Sequence, residues 1–286
     1  MTIIKNYQDN PALRASFNAL AEAVFGLNFE NWYRLGYWGS NYVPYSVLEG
    51  DTIVANVSVN RTDMVIGGQR RRLYQLGTVM THPDCRNRGY IRAIMAEVEQ
   101  DLADADGVYL FANDSVLDFY PKFGFQADRE YLYSKTVAQS GKCTVEQVSM
   151  AVPENRERLA AAMAASTFQT GCTMVGNPEL IFFYVAQFMQ ENVYFWEEKN
   201  VWIIAEPEDG ALVLHNVFAP ENLSPDAVIA AFGADIREVT LGFAPADKTD
   251  WNCRELQEAD TTFFTRGEAF REFKEKKLRI PSLAHA

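Results

Sequence analysis

LGTVMTHPDCRNRGYIRAIM, residues 76–95, reads as a strand, a short loop and a helix. The strand runs into a segment holding Pro83, and the helix extends from Tyr90 to about Leu102. A junction of this kind presents several backbone N–H groups that have no intrahelical partner. The helix dipole adds positive potential at the same place, so the junction can hold phosphate oxygens. Gly89, at or just before the helix start, lets the backbone approach a phosphate closely. Arg86, Arg88 and Arg92 add charge, and a guanidinium can chelate phosphate oxygens. Taken alone, an arginine-rich turn of this sort is as often a solvated helix start.

A second stretch, FANDSVLDFYPKFGF (111–125), follows a compact apolar strand over 107–114. It predicts a short helix over 115–125, closed by Gly124. Asn113 is placed to end the strand and cap that helix. Tyr120 has two readings, a phenol available as a proton donor or a packing residue.

Together the two stretches resemble the GNAT superfamily of acyl-CoA-dependent N-acyltransferases, over roughly residues 1–136. The family's signature loop is Arg/Gln-x-x-Gly-x-Gly/Ala, and this chain has Arg86-Asn87-Arg88-Gly89-Tyr90-Ile91. The first Arg and the central Gly match, whereas Ile91 replaces the last small residue and crowds the pyrophosphate side. VMTHPDCR resembles the end of the family's fourth strand. Asn113, Phe119, Tyr120, Lys122, Gly124 and Phe125 resemble its later Asn…Phe-Tyr-x-Lys-x-Gly-Phe pattern.

The resemblance implies an α/β (mixed α+β) fold, a mostly antiparallel mixed sheet flanked by helices. Its fourth and fifth strands splay apart. The pantetheine arm of acetyl-CoA, the acyl donor, then pairs with the edge of the fourth strand through Val79 and Thr81, with Met80 alongside. Residues 86–91 together with Arg92, Asn113 and Phe119 complete the cofactor site, Tyr120 protonates the coenzyme A thiolate, and no metal is needed. The acceptor is a primary amine of a small molecule or peptide. The general base is not identified by the resemblance. Some relatives use a Glu on the fourth strand, where this chain has Gln75; Glu30, Glu49, Asp63 or an ordered water are alternatives, with His82 a weaker one beside the cofactor loop.

Outward from these stretches, residues 2–8 read as a strand and 11–25 as an amphipathic helix, with Asn10 as N-cap and Pro11 at the first helical position. Residues 42–80 read as a three-stranded antiparallel meander, and 128–136 as a last strand. The aromatic stretch Phe29, Trp32, Tyr33, Tyr37, Trp38, Tyr42 and Tyr45 falls where relatives shape the acceptor site. Core packing is the favoured reading for most of it, with an aromatic cage for an amine as the other. The small polar run 137–143 marks a boundary between a GNAT domain at 1–138 and a second part at 143–286.

That second part repeats a similar order of elements, ending in strands near EVTLGF and TTFFT, without a residue-level repeat. It reads as a divergent GNAT-like half. Its counterpart loop, FAPENLSPDAV (218–228), has neither glycine nor arginine, so no phosphate cradle is legible there. The arrangement is loosely similar to the enhanced-intracellular-survival group of amine acetyltransferases. The basic stretch 271–279 reads as a solvated helix end.

With 38 acids against 26 bases the chain carries a formal charge of -12, which excludes a generally basic nucleic-acid footprint and weakly favours cationic partners. The four cysteines lack a CxxC pair and the three histidines are scattered, so neither a disulfide framework nor a zinc site is expected. No stretch approaches the roughly 18 apolar residues of a membrane span, and residues 1–10 lack the apolar run of a signal peptide. A cytoplasmic enzyme is expected, with a homo-oligomer left open. The rival functions are an acyl-CoA-binding regulatory module without turnover, and transfer of a different acyl group.

Overall fold

The computed structural model describes residues 1–285. The first half supplies β1 (Thr2–Lys5), β2 (Tyr42–Glu49), β3 (Thr52–Arg61), a ribbon of β4 (Met64–Ile66) and β5 (Gln69–Arg71), β6 (Leu73–Thr81), β7 (Gly107–Ala112), β8 (Gln126–Ala127) and β9 (Tyr131–Thr136). The second supplies β10 (Glu146–Gln147), β11 (Cys172–Met174), β12 (Val193–Trp196), β13 (Val201–Glu208), β14 (Ala211–Phe218), β15 (Glu238–Leu241), β16 (Asn252–Glu255) and β17 (Thr262–Arg266). The helices are α1 (Pro11–Phe25), α2 (Glu30–Arg34), α3 (Tyr90–Asp101), α4 (Pro153–Ala165), α5 (Pro178–Val185) and α6 (Pro225–Ala230).

Two seven-stranded sheets form, in the orders β1-β2-β3-β6-β7-β17-β8 and β10-β12-β13-β14-β15-β9-β16. Their pairing patterns are the same. In each, four antiparallel strands lead to one parallel pair, β6 with β7 or β14 with β15. Two antiparallel strands then finish the sheet. The sixth place is exchanged: β17 from the end of the chain lies between β7 and β8, and β9 from the first half lies between β15 and β16.

This corrects two expectations. Residues 131–136 are not the last strand of the first half's sheet, and TTFFT does not belong to the second half's sheet. Strand pairing therefore crosses the 138/143 line in both directions. A short strand's composition records its burial, not which edge it pairs with. A third, small sheet, β11-β4-β5, also links the halves.

Local choices follow the sequence closely elsewhere. Asn10 caps α1 by accepting from the N–H groups of Ala12 and Leu13, and Gly26, left-handed at φ 68, ends it. Helix α3 buries Ile94, Met95 and Val98 against the first sheet, beside Val57 and Leu76. The stretch 115–125 is not a helix but part of two 3-10 turns, Asp114–Val116 and Tyr120–Phe123. Pro121 offers no N–H to continue a ladder between them. Residues 271–279 form turns over 271–277 and irregular backbone after them rather than a helix end, and Phe273 and Leu278 there are buried.

The aromatic stretch packs as expected. Phe29, Trp32, Trp38 and Tyr42 join Phe17 and, from the second half, Phe183 in one buried cluster. Trp32 Nε1 donates to the Glu179 carbonyl at 2.8 Å, and Asn177 Nδ2 donates to Asn60 Oδ1 and the Arg61 carbonyl at 3.0 and 2.7 Å. These bonds dock α5 of the second half onto the first sheet. Where β9 begins, buried Glu130 accepts from the Ile280 N–H at 2.7 Å. Burial pushes its carboxyl up to about 8, against the opposing pull of Arg279.

No helix among the described residues is long and apolar enough to cross a membrane.

Candidate active site

Strands β6 and β7 run side by side for three residues only, Leu73–Gln75 against Gly107–Tyr109. Beyond Gln75 they part. β6 stays paired with β3 on its other edge as far as Thr81, and β7 stays paired with β17 as far as Ala112. The two facing edges have no strand between them, and a cleft of about 930 Å³ opens there. This is the splay that the resemblance implied.

The floor of the cleft is a β-bulge. Asn56 pairs with Met80 and Ser58 with Gly77, so Val57 alone faces Thr78 and Val79. Thr78 has φ 42, a left-handed conformation that a β-branched residue rarely adopts. A buried polar chain holds it. The Tyr7 hydroxyl meets Ser46 Oγ at 2.6 Å, Ser46 Oγ donates to Asn56 Oδ1 at 2.8 Å, and Asn56 Nδ2 donates to the Thr78 carbonyl at 2.9 Å. The Tyr42 hydroxyl adds a hydrogen bond to Thr78 Oγ1. Bulges recur beside active sites because they re-aim the strand locally. Neither Thr78 nor the chain of Tyr7, Ser46 and Asn56 was singled out from the sequence. Gly77 in mid-strand was the available signal, since an interior strand glycine often marks a bulge.

Val79, Met80 and Thr81 line the cleft, as do Arg86, Asn87 and Ile91. Asn87 at φ 62 and Gly89 at φ 78 turn the exposed loop into α3, and no side chain caps that helix. Its first N–H groups are therefore open to a ligand. Arg86 and Arg92 are exposed and make no ion pair among the described residues. Arg88 is placed differently from Arg86. Its guanidinium bonds to Glu49 Oε1 at 3.0 Å and to the Asp84 carbonyl at 2.9 Å, and the Tyr90 hydroxyl also donates to Glu49. These contacts turn Arg88 and Tyr90 away from the cleft, which neither of them lines.

Tyr120, Phe119 and Asn113 line the opposite wall. Tyr120 is buried between Phe125 and Phe264, and its hydroxyl has no hydrogen-bond partner among the described residues. Burial alone pushes the phenol up to about 12, so it keeps its proton at neutral pH. Asn113 does not cap the following turn. It donates instead to the carbonyl and carboxylate of Asp260 at 3.3 and 3.0 Å, tying the end of β7 to the second half.

The second half closes the site in a way no local sequence signal announced. Phe183, Tyr184, Phe188, Glu258, Thr261 and His285 all line the same cleft. The Tyr184 hydroxyl donates to the His285 carbonyl, and the His285 ring stacks on Phe111 at 3.9 Å. Burial pushes that imidazole down to about 3, so it is neutral. The acids weighed as bases are engaged elsewhere: Glu30 with Arg14, Glu49 with Arg88, and Asp63 with Arg61 and Arg70. His82 accepts from the Asp84 N–H, and none of these four lines the cleft. Glu258 is the one carboxylate that does, among the described residues.

Residues 13–127 match the sequence profile described as "Acetyltransferase (GNAT) domain". That stretch is a GNAT domain. It contains the bulge, the arginine-glycine loop and Tyr120, and acyl transfer is the chemistry of the family. The likeness of fold extends over most of the chain. A structure from Enterococcus faecalis V583, titled a conserved protein of unknown function and probable N-acyltransferase, is 18% identical, with 96% of this chain and 74% of that chain covered and a TM-score of 0.64. Eis1 from Mycobacterium abscessus is 13% identical over 92% of this chain and 73% of its own, with a TM-score of 0.55. A GCN5-related N-acetyltransferase from Kribbella flavida is 16% identical over 93% and 72%, also at 0.55. At these identities the likeness is one of fold. No curated protein matches the sequence.

Proposed function

We propose that the chain transfers an acetyl group from acetyl-CoA to a primary amine in the cleft between β6 and β7. The observation that carries this reading is one shared opening that joins three parts: the uncapped start of α3, the unpaired edge of β6 at its bulge, and the phenol of Tyr120, which has no hydrogen-bond partner among the described residues. The pyrophosphate would sit at the loop Arg86–Ile91. The pantetheine arm would pair with β6 at Val79 and Thr81, filling the gap left by the splay. Backbone N–H groups near Val79 would polarise the thioester carbonyl as charge develops on its oxygen.

The neutral amine attacks the thioester carbon, the C–S bond breaks, and the coenzyme A sulfur leaves as thiolate. Tyr120 gives its proton to that sulfur and recovers one after the products leave. A phenol held at about 12 is a poor donor to a thiolate in water. A thiolate expelled into the same apolar surroundings is itself made more basic, which narrows the mismatch. Glu258, directly or through water, is the group placed to take the proton that the amine loses. Much of the rate would come from holding amine and thioester in line.

Two measurements test this. Acetyl-CoA titrated calorimetrically into the full chain is expected to saturate at one site per chain. Thiol release in the presence of amines is then expected to depend on both substrates. Binding without any release would favour the second reading, an acyl-CoA-binding module, for which Ile91 in the cleft wall is the supporting observation.

A further inference from the structure

The exposed apolar residues of this chain are few and unevenly placed. Among the described residues five large hydrophobic side chains are exposed, and three of them, Phe25 at 42%, Val116 at 38% and Phe188 at 56%, line this one cleft. Isolated exposed apolar side chains need no explanation, but a group around one opening marks a surface made to be covered. The patch is continuous with the interior. The Phe188 ring lies edge-on to Phe183 at 5.5 Å, Phe183 stacks on Phe29 at 5.2 Å, and Phe29 meets Trp32 at 6.3 Å. A continuous run of ring contacts therefore leads from exposed Phe188 to buried Phe29 and Trp32, and all four rings line the cleft that also holds Tyr42 and Thr78.

The charges on that surface are sparse. Only Arg86 and Glu258 are charged among the residues lining the cleft, since His285 is neutral. Arg86 belongs to the loop before α3. That leaves one carboxylate for the acceptor, although the chain as a whole has an excess of twelve negative charges. A polycationic acceptor would need several acids around it, each able to hold one ammonium group. One acid and a run of aromatic rings instead match a single ammonium on an apolar body, which the rings can also hold by cation–π attraction.

We propose that the acceptor is a monoamine with a bulky aromatic or aliphatic body, which packs on Phe188, Phe183 and Phe25 while Glu258 holds its amino group. This rests on the acyl-transfer reading of the same cleft, because it takes the occupant of the mouth to be the second substrate.

The test uses 2-phenylethylamine, ethylamine and spermidine, each titrated calorimetrically into the full chain with and without coenzyme A, and each assayed for thiol release from acetyl-CoA. 2-Phenylethylamine is expected to bind roughly tenfold more tightly than either of the others, the gain from covering one ring. Phe188→Ala and Phe25→Ala are each expected to weaken that binding about threefold or more and to leave coenzyme A affinity unchanged. Both side chains are exposed, so neither substitution opens a buried core. Tighter binding of spermidine, or equal binding of 2-phenylethylamine and ethylamine, overturns the proposal. So does a result in which the two variants dissociate an oligomer and leave amine binding alone, since the patch is then a contact between copies. Selective binding of 2-phenylethylamine without thiol release would sustain the ligand class and sink acyl transfer. Release with all three amines at equal efficiency would do the reverse.

Discussion

The two sheets of this molecule open at the same place and differ in what they leave open. In the first, β6 and β7 part after three residues and leave a cleft of about 930 Å³. In the second, β14 and β15 pair over four residues, and a smaller cavity of about 400 Å³ lies against His215, Val217 and Phe218 at the end of β14. Phe168 and Phe243, edge to face at 5.9 Å, form part of its lining. The helix starts contrast as well. α3 begins at Gly89 with no side-chain cap, whereas α6 has Ser224 accepting from the Ala227 N–H and Pro225 at its first turn. One helix start leaves its donors uncapped, and the other has satisfied or removed them. The difference teaches that two sheets of one pairing pattern can carry helix starts of opposite chemistry, one with open N–H groups and one with them capped.

The comparison predicts where substitutions will be felt. Tyr120→Phe is expected to lower turnover by about 10²–10⁴-fold, with acetyl-CoA affinity held within about twofold in a calorimetric titration. His215→Ala in the second cavity should leave both quantities unchanged; loss of turnover there would mean that the second opening takes part.

Glu130, where the chain crosses between the sheets, gives a pH signature. Its folded carboxyl titrates near 8 against an ordinary 4.5, so between these values the fold retains a proton that the unfolded chain has released. Stability therefore falls as pH rises through that window, by up to about 1.4 kcal/mol per pH unit. Glu130→Gln keeps an acceptor for the Ile280 N–H and should flatten the dependence of Tm between pH 5 and 8. An unchanged slope would locate the titration elsewhere.

Arg86→Ala should weaken acetyl-CoA binding about tenfold, while Arg88→Ala should change it less than about twofold, because Arg88 is held by Glu49. Equal effects would show that the loop rearranges around the cofactor. The smallest effect is expected at the second helix start, where Ser224→Ala should cost about 1 kcal/mol in denaturant unfolding without altering cofactor binding.

What could be read from the sequence was local chemistry. The strand, loop and helix around Gly89 stand where their residues predict, and so do Asn10, Pro11 and the aromatic core around Trp32. The splay could be inferred only through the resemblance. Exchange of β9 and β17 left no trace, since their composition suits a buried strand in either sheet. Thr78 was hidden because its strain is supported by Tyr7, Ser46 and Asn56, far apart in sequence. Glu258 and Phe188 were illegible as site residues for the same reason: they reach the cleft only through contacts between the halves.

The exchanged strands bear on how this chain can be made. β8 pairs with β17 alone, and β7 has β17 along the edge away from β6. As the polypeptide leaves the ribosome, the first sheet must wait for residues 262–266 before that edge is covered. Until then it presents unpaired donors and acceptors to any neighbouring strand. Synthesis of the first half by itself, as residues 1–138, should therefore yield aggregates rather than a small folded protein. Adding a separately made 143–286 fragment during refolding would be the way to restore it.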